Sequence, residues 1–157
     1  MAITPKEREL AAVGISVAAG CKPCTDHHVE VARKARASDQ EIKEAVVVAL
    51  AVRKSAAEIM AGYALTRLGD AEHHGEIGSA AETSRLSEAS HLRELVAVGA
   101  AFAVNCTSSL EQHLADAEAA GSTQEEITQI IKLAAFIKER AASHVERLVS
   151  LSEGHAA

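Results

Sequence analysis

The sequence predicts an all-α fold of two tandem three-helix modules, and three observations carry the prediction. First, the chain is 48% hydrophobic and 24% charged, with two prolines and few aromatics beside abundant Ala, Val, Leu and Glu. That mixture suits packed helices, whereas a β-sandwich or barrel draws on more aromatics and turns. Second, Ser/Thr-x-x-Glu capping boxes stand ahead of apolar stretches with helical spacing. Third, the second half repeats the first at one constant offset. The shift lays Glu9-Leu10 on Glu94-Leu95, Gly14 on Gly99, Cys21 on Cys106, His28 on His113, Glu41-Ile42 on Glu126-Ile127 and Ala56-Ala57 on Ala141-Ala142 without a gap. Register kept over that span marks a duplication, and only two copies argue for a compact pair rather than a solenoid.

Thr4, Pro5 and Glu7 open the first helix. Thr4 can accept orphan backbone N–H groups, Pro5 fits the first turn, and Glu7 completes the capping box. Leu10, Val13, Gly14 and Val17 form its apolar stripe, with Glu9 at the edge, where a carboxylate can face a partly buried cleft. Gly20 ends the helix. Pro23 suits the first turn of a second helix, expected from about Cys24 to Ala35 through Val29 and Ala32. Ser38 and Glu41 cap a third, which reads helically from Ile42 to Leu65. Its continuous apolar run, Ala45 to Val52, predicts burial on nearly all sides, as a central helix or a subunit contact. Residues 69–86, with their glycines and the pair His73-His74, break the periodicity and read as a linker between modules 1–68 and 87–157. Thr123 and Glu126 then repeat the capping box of the third helix.

A chain of 157 residues buries roughly 70% of its unfolded surface and needs no disulfide staples to fold. With a net charge of −6 and no run of Lys or Arg, it offers no surface for nucleic acid. The run from Ala45 to Val52 is far shorter than the ~20 residues that cross a bilayer, and no basic segment leads into an apolar one at the N-terminus. A soluble, cytoplasmic protein without membrane contact is the expectation. Three cysteines make no secreted framework, and a Cys-x-x-Cys pair in a reducing compartment points to catalysis or metal binding.

That pair is Cys21 and Cys24, with His28 one helical turn beyond Cys24 and Glu9 twelve positions before Cys21. If the first two helices form a hairpin turning at Gly20, Glu9 lies about 16 Å below the turn, Cys24 about 6 Å and His28 about 12 Å. Glu9 is then closest in height to His28, which suggests a relay in which Glu9 orients His28 and His28 acts as base to the Cys24 thiol. Both thiols gain thiolate character near a helix N-terminus. The residues leave the order of attack open, because Cys21, expected to be the more exposed, suits an outside partner while Cys24 has the histidine. We favour Cys24 attacking a hydroperoxide and Cys21 resolving the sulfenic acid as a disulfide, with an outside dithiol resetting the pair. Ser109 stands in the place of Cys24 in the second copy, which keeps Glu94 and His113 but not the redox pair. The working site therefore belongs to the first copy, and Cys106 reads as a buried small residue. A metal site is the rival: Cys21, Cys24 and His28 offer three ligands and His27 or Glu9 a fourth, without the distant second Cys or His pair of a structural zinc site. We assign no metal and no cofactor.

Glu9, Cys21, Cys24 and His28 match the Glu-x11-Cys-x-x-Cys-x-x-x-His motif, and with the helical duplication the chain resembles the AhpD-like alkylhydroperoxidases of the carboxymuconolactone decarboxylase superfamily. The resemblance implies a thiol-dependent peroxidase or disulfide reductase, with Cys24 peroxidatic, His28 and Glu9 its proton relay, and Cys21 facing the reductant. It further implies a lipoylated or thioredoxin-like dithiol protein as reductant and assembly as trimers or hexamers. Two departures stand out. Pro23 occupies the position before the second cysteine where the alkylhydroperoxidase carries a histidine, and the motif lies in the first copy rather than the second. His27 is nearby but is expected to point about 100° away from His28. The superfamily's lactone decarboxylases lack the cysteine pair, which leaves that activity, or a non-catalytic oligomeric or metal-binding module, as the alternatives.

Overall fold

A computed structural model of the chain describes residues 2–69 and 90–153. Among the described residues it contains six α-helices and no strand: α1 (Pro5–Ala19), α2 (Lys22–Lys34), α3 (Asp39–Arg67), α4 (His91–Ala103), α5 (Thr107–Ala119) and α6 (Gln124–Glu153). Apart from Gly69, the interval read as a linker lies outside the described residues, as do His73 and His74.

The caps fall where the sequence places them. Thr4 and Glu7, Ser38 and Glu41, and Thr123 and Glu126 each form the reciprocal hydrogen bonds of a capping box. Gly20 ends α1 in the left-handed region at φ 71°, and Asn105, its counterpart, ends α4 at φ 59°. The duplication also governs what holds these ends. Arg53 donates to the carbonyls of Val17 and Ala18 at 3.2 and 3.3 Å, and its counterpart Lys138 donates to the carbonyl of Phe102 at 3.3 Å.

The two copies share one core. Helix α1 packs on α2 and α3 of its own copy and on α4 and α6 of the other, so Ile15, Leu95, Val98, Ile130 and Ile137 meet in a single cluster. Close approach of α1 and α4 depends on glycine. A Cβ on Gly14 would stand 2.6 Å from Val96 Cγ1, and one on Gly99 would stand 2.6 Å from Ile15 Cγ1.

Two expectations need correction. Helix α2 starts at Lys22, two residues earlier than expected, because the Cys21 sulfur accepts the Cys24 backbone N–H at 3.2 Å and serves as N-cap. The run Ala45 to Val52 is buried on one face only. Ala45, Val48, Ala49 and Val52 enter the core, while Val47 is 44% and Leu50 52% exposed, since α3 packs on α1 and α4 from one side. No described helix is long and apolar enough to cross a membrane.

Candidate active site

The structure gathers all four motif residues at the junction of α1 and α2. Glu9 projects from α1 into the core and is 5% exposed. Its Oε2 lies 2.8 Å from His28 Nδ1, and Arg8 donates to its other oxygen. His28 is itself buried, so a fixed carboxylate orients the imidazole away from bulk water. This is the pairing that the hairpin heights predict.

Cys21 and Cys24 are joined as a disulfide, with Cα atoms 5.3 Å apart. One correction concerns access: Cys21 is not the more exposed of the two, since they are 6% and 7% exposed. What distinguishes them is the cleft each one lines. Cys24 and His28 line a cleft of about 420 Å³ together with His27, Phe136, Arg140 and Arg147. Cys21 lines an adjoining cleft of about 630 Å³, walled mostly by apolar side chains and edged by Lys22, Lys138, His144 and Arg147, the last two shared with the first cleft. His27 is exposed where His28 is buried, yet its ring meets that of His28 edge-on at 5.0 Å and lines the same cleft.

Sequence reasoning missed His144. This residue of α6 belongs to the second copy, yet one of its ring nitrogens and both disulfide sulfurs lie within 4.8 Å of one another. It borders both clefts. No signal in the sequence could have found it, since its place depends on the packing of α6 against α1 and α2. His144, rather than His28 or His27, is therefore the third member of the group that could hold a metal with the two cysteines. In the disulfide state neither sulfur is a thiolate donor.

The second copy preserves the frame without the cysteine pair. Glu94 Oε2 lies 3.0 Å from His113 Nδ1, and that hydrogen bond holds the Glu94 carboxyl below its usual range. Cys106 stands at the N-cap of α5 with nearly the backbone angles of Cys21, but it is a free buried thiol whose side chain caps nothing, and Ser109 holds the sequence position of Cys24.

Fold and site together define a class: duplicated helical proteins with a cysteine pair backed by a buried Glu–His pair. The profile of the Carboxymuconolactone decarboxylase family matches residues 2–67 and again 81–148, and the chain belongs to that family in both of its copies. No curated protein and no solved structure gives a significant match.

Proposed function

We propose that the protein is a thiol-dependent peroxidase or disulfide reductase of the alkylhydroperoxidase type, working through a Cys21–Cys24 disulfide cycle. The observation that carries this reading is the buried Glu9–His28 hydrogen bond, which sets an oriented base one turn from Cys24 in a shared cleft. In the reduced protein His28 takes the Cys24 proton. The thiolate attacks the hydroperoxide, an S–O bond forms as the O–O bond breaks, and the departing alkoxide recovers the proton as an alcohol. Cys21 then attacks the Cys24 sulfenic acid, forming the disulfide and releasing water. A dithiol protein, lipoylated or thioredoxin-like, attacks the Cys21 sulfur from the apolar cleft, and its second thiol closes its own disulfide to restore the pair. That each sulfur lines a different one of two adjoining clefts supports this division of labour. We further propose that the chain works as a homo-oligomer, a trimer or hexamer.

The experiment is sulfenic-acid trapping after peroxide treatment of the reduced protein, read by peptide mass. Cys21→Ser should accumulate the adduct on Cys24, and Cys24→Ser should accumulate none. An adduct on Cys21 in Cys24→Ser, with none on Cys24 in Cys21→Ser, would reverse the two roles. No difference of either variant from wild type would end the redox reading. The cluster of Cys21, Cys24 and His144 favours a second reading, zinc held by the reduced pair, which requires stoichiometric metal that leaves when the thiols are blocked.

A further inference from the structure

We infer that the cleft on the Cys24 side is an anion subsite, built to hold the carboxylate of an amphiphilic organic acid while its apolar body lies along the wall. The inference rests on the proposed function for its identification of the occupant as the oxidising substrate, a hydroperoxide that carries a carboxylate. Its structural basis is independent of turnover.

Phe136, Arg140, His144 and Arg147 stand three or four residues apart on α6 and so form one stripe. That stripe faces Cys24 and His28 across the cleft. The side chains lining it include two arginines and three histidines but no acidic group. Among the described residues neither arginine is paired with a carboxylate. In a chain with 22 acidic against 16 basic residues, a concave surface lined only by cationic and neutral groups is a local reversal of sign. The Arg140 guanidinium sits 5.5 Å from the centre of the Phe136 ring, a cation–π contact between two residues that line the cleft. Phe136 and Ile137 give the apolar wall. Guanidinium forks bind carboxylates in a bidentate manner, and about 420 Å³ admits a chain or ring of small-molecule size rather than a protein segment. The cleft beside Cys21 is larger and more apolar and shares Arg147 with this one, whereas Arg140 lines the Cys24 side alone.

The test uses the disulfide form and no turnover. Titration calorimetry compares octanoate with octanamide, which share length and differ in charge. Wild type should bind octanoate roughly tenfold more tightly than octanamide, and added salt should erode that preference. Arg140→Gln combined with Arg147→Gln should bind the two alike while keeping the wild-type melting temperature. Should the double variant fail to fold, Arg140→Gln alone, at the arginine that lines only this cleft, and the salt series on wild type carry the same comparison. Equal binding of octanoate and octanamide by wild type, or a charge preference that survives in the double variant, overturns the subsite. Slower reduction of the double variant by a dithiol protein, with octanoate binding unchanged, also overturns it by making the arginines a protein-docking feature. The two claims fail separately: octanoate preference without sulfenic-acid formation sinks the peroxidase and keeps the subsite, and the converse sinks the subsite alone.

Discussion

Glu9→Gln and Glu94→Gln together separate what the carboxylate does for the fold from what it does for the thiol. The two positions are near copies: a buried glutamate contacting an imidazole at 2.8 or 3.0 Å, with the preceding arginine on its other oxygen. Each substitution keeps shape and burial while replacing a charge-assisted hydrogen bond by a neutral one. Charged hydrogen bonds contribute about 1.5–3 kcal/mol against about 1 for neutral ones, so each change should cost about 1–2 kcal/mol. For a chain of this length that lowers the melting temperature by roughly 3–6 °C in both variants. The thiol should respond to only one of them. Cys24 oxidation by peroxide, followed by stopped flow in a Cys21→Ser background, should slow roughly tenfold in Glu9→Gln, a fraction of the 10²–10⁴ that a positioned general base supplies. In Glu94→Gln it should not change, because Ser109 leaves His113 no cysteine pair to serve. Equal slowing in both variants would make the effect one of general stability, and no slowing in Glu9→Gln would remove the carboxylate from the relay.

Three further outcomes follow from the packing and the surface charges. Gly99→Ala brings a Cβ to 2.6 Å and 2.8 Å from two Ile15 carbons, so overpacking of about 1–3 kcal/mol should outweigh the ~1 kcal/mol gain in helix propensity, and an unchanged urea midpoint would refute that. Light scattering at micromolar concentration should return a multiple of 16.4 kDa, since Val47, Leu50, Met60 and Tyr63 on α3 and Val145 and Leu148 on α6 are exposed apolar side chains, and a monomer mass would sink the assembly proposal. The Lys6 ammonium and the Ser38 N–H hold the Glu41 carboxyl down at about 2, so its contribution is full above the ordinary value of 4.5 and is lost as pH falls from 4.5 toward 2. Glu41→Gln should flatten the loss of stability across that window by less than about 1 kcal/mol, because the pair is a third exposed, and an unaltered acid profile would refute the linkage.

What the sequence discloses is set by the range of the interaction. Capping boxes at Thr4, Ser38 and Thr123 are legible because the hydrogen-bonded partners stand three residues apart. The Glu9–His28 contact spans nineteen residues and is still legible, since one tight turn at Gly20 fixes the heights of both side chains on a hairpin. The start of α2 escapes because a cysteine sulfur is an unusual cap acceptor. The exposure of Val47 and Leu50 escapes because an apolar run does not say how many neighbours surround it. His144 escapes for a stronger reason: it reaches the sulfurs only after the second copy folds back on the first, a relation that no local spacing encodes.

The duplication places side chains of both copies around one cysteine pair. The offset that lays Cys24 on Ser109 also lays Arg140 on Ser55, His144 on Ile59 and Arg147 on Gly62. Both copies hold a Glu–His pair, but the first alone carries two sulfurs, while the second carries the cationic side chains that line the cleft beside them. Each change would be idle alone. A cationic stripe on α3 would not meet a cysteine pair, and a cysteine pair in α5 would lack that stripe opposite it. The shared frame recurs in both copies, with the same residue at Gly14 and Gly99 between α1 and α4, and with different residues in the same structural part at the αL ends Gly20 and Asn105 and at the carbonyl contacts of Arg53 and Lys138. Conserving the frame in both halves keeps α6 in register with α2. Because that register sets where the α6 side chains meet the disulfide, the second copy's structural symmetry is a condition of the first copy's chemical asymmetry.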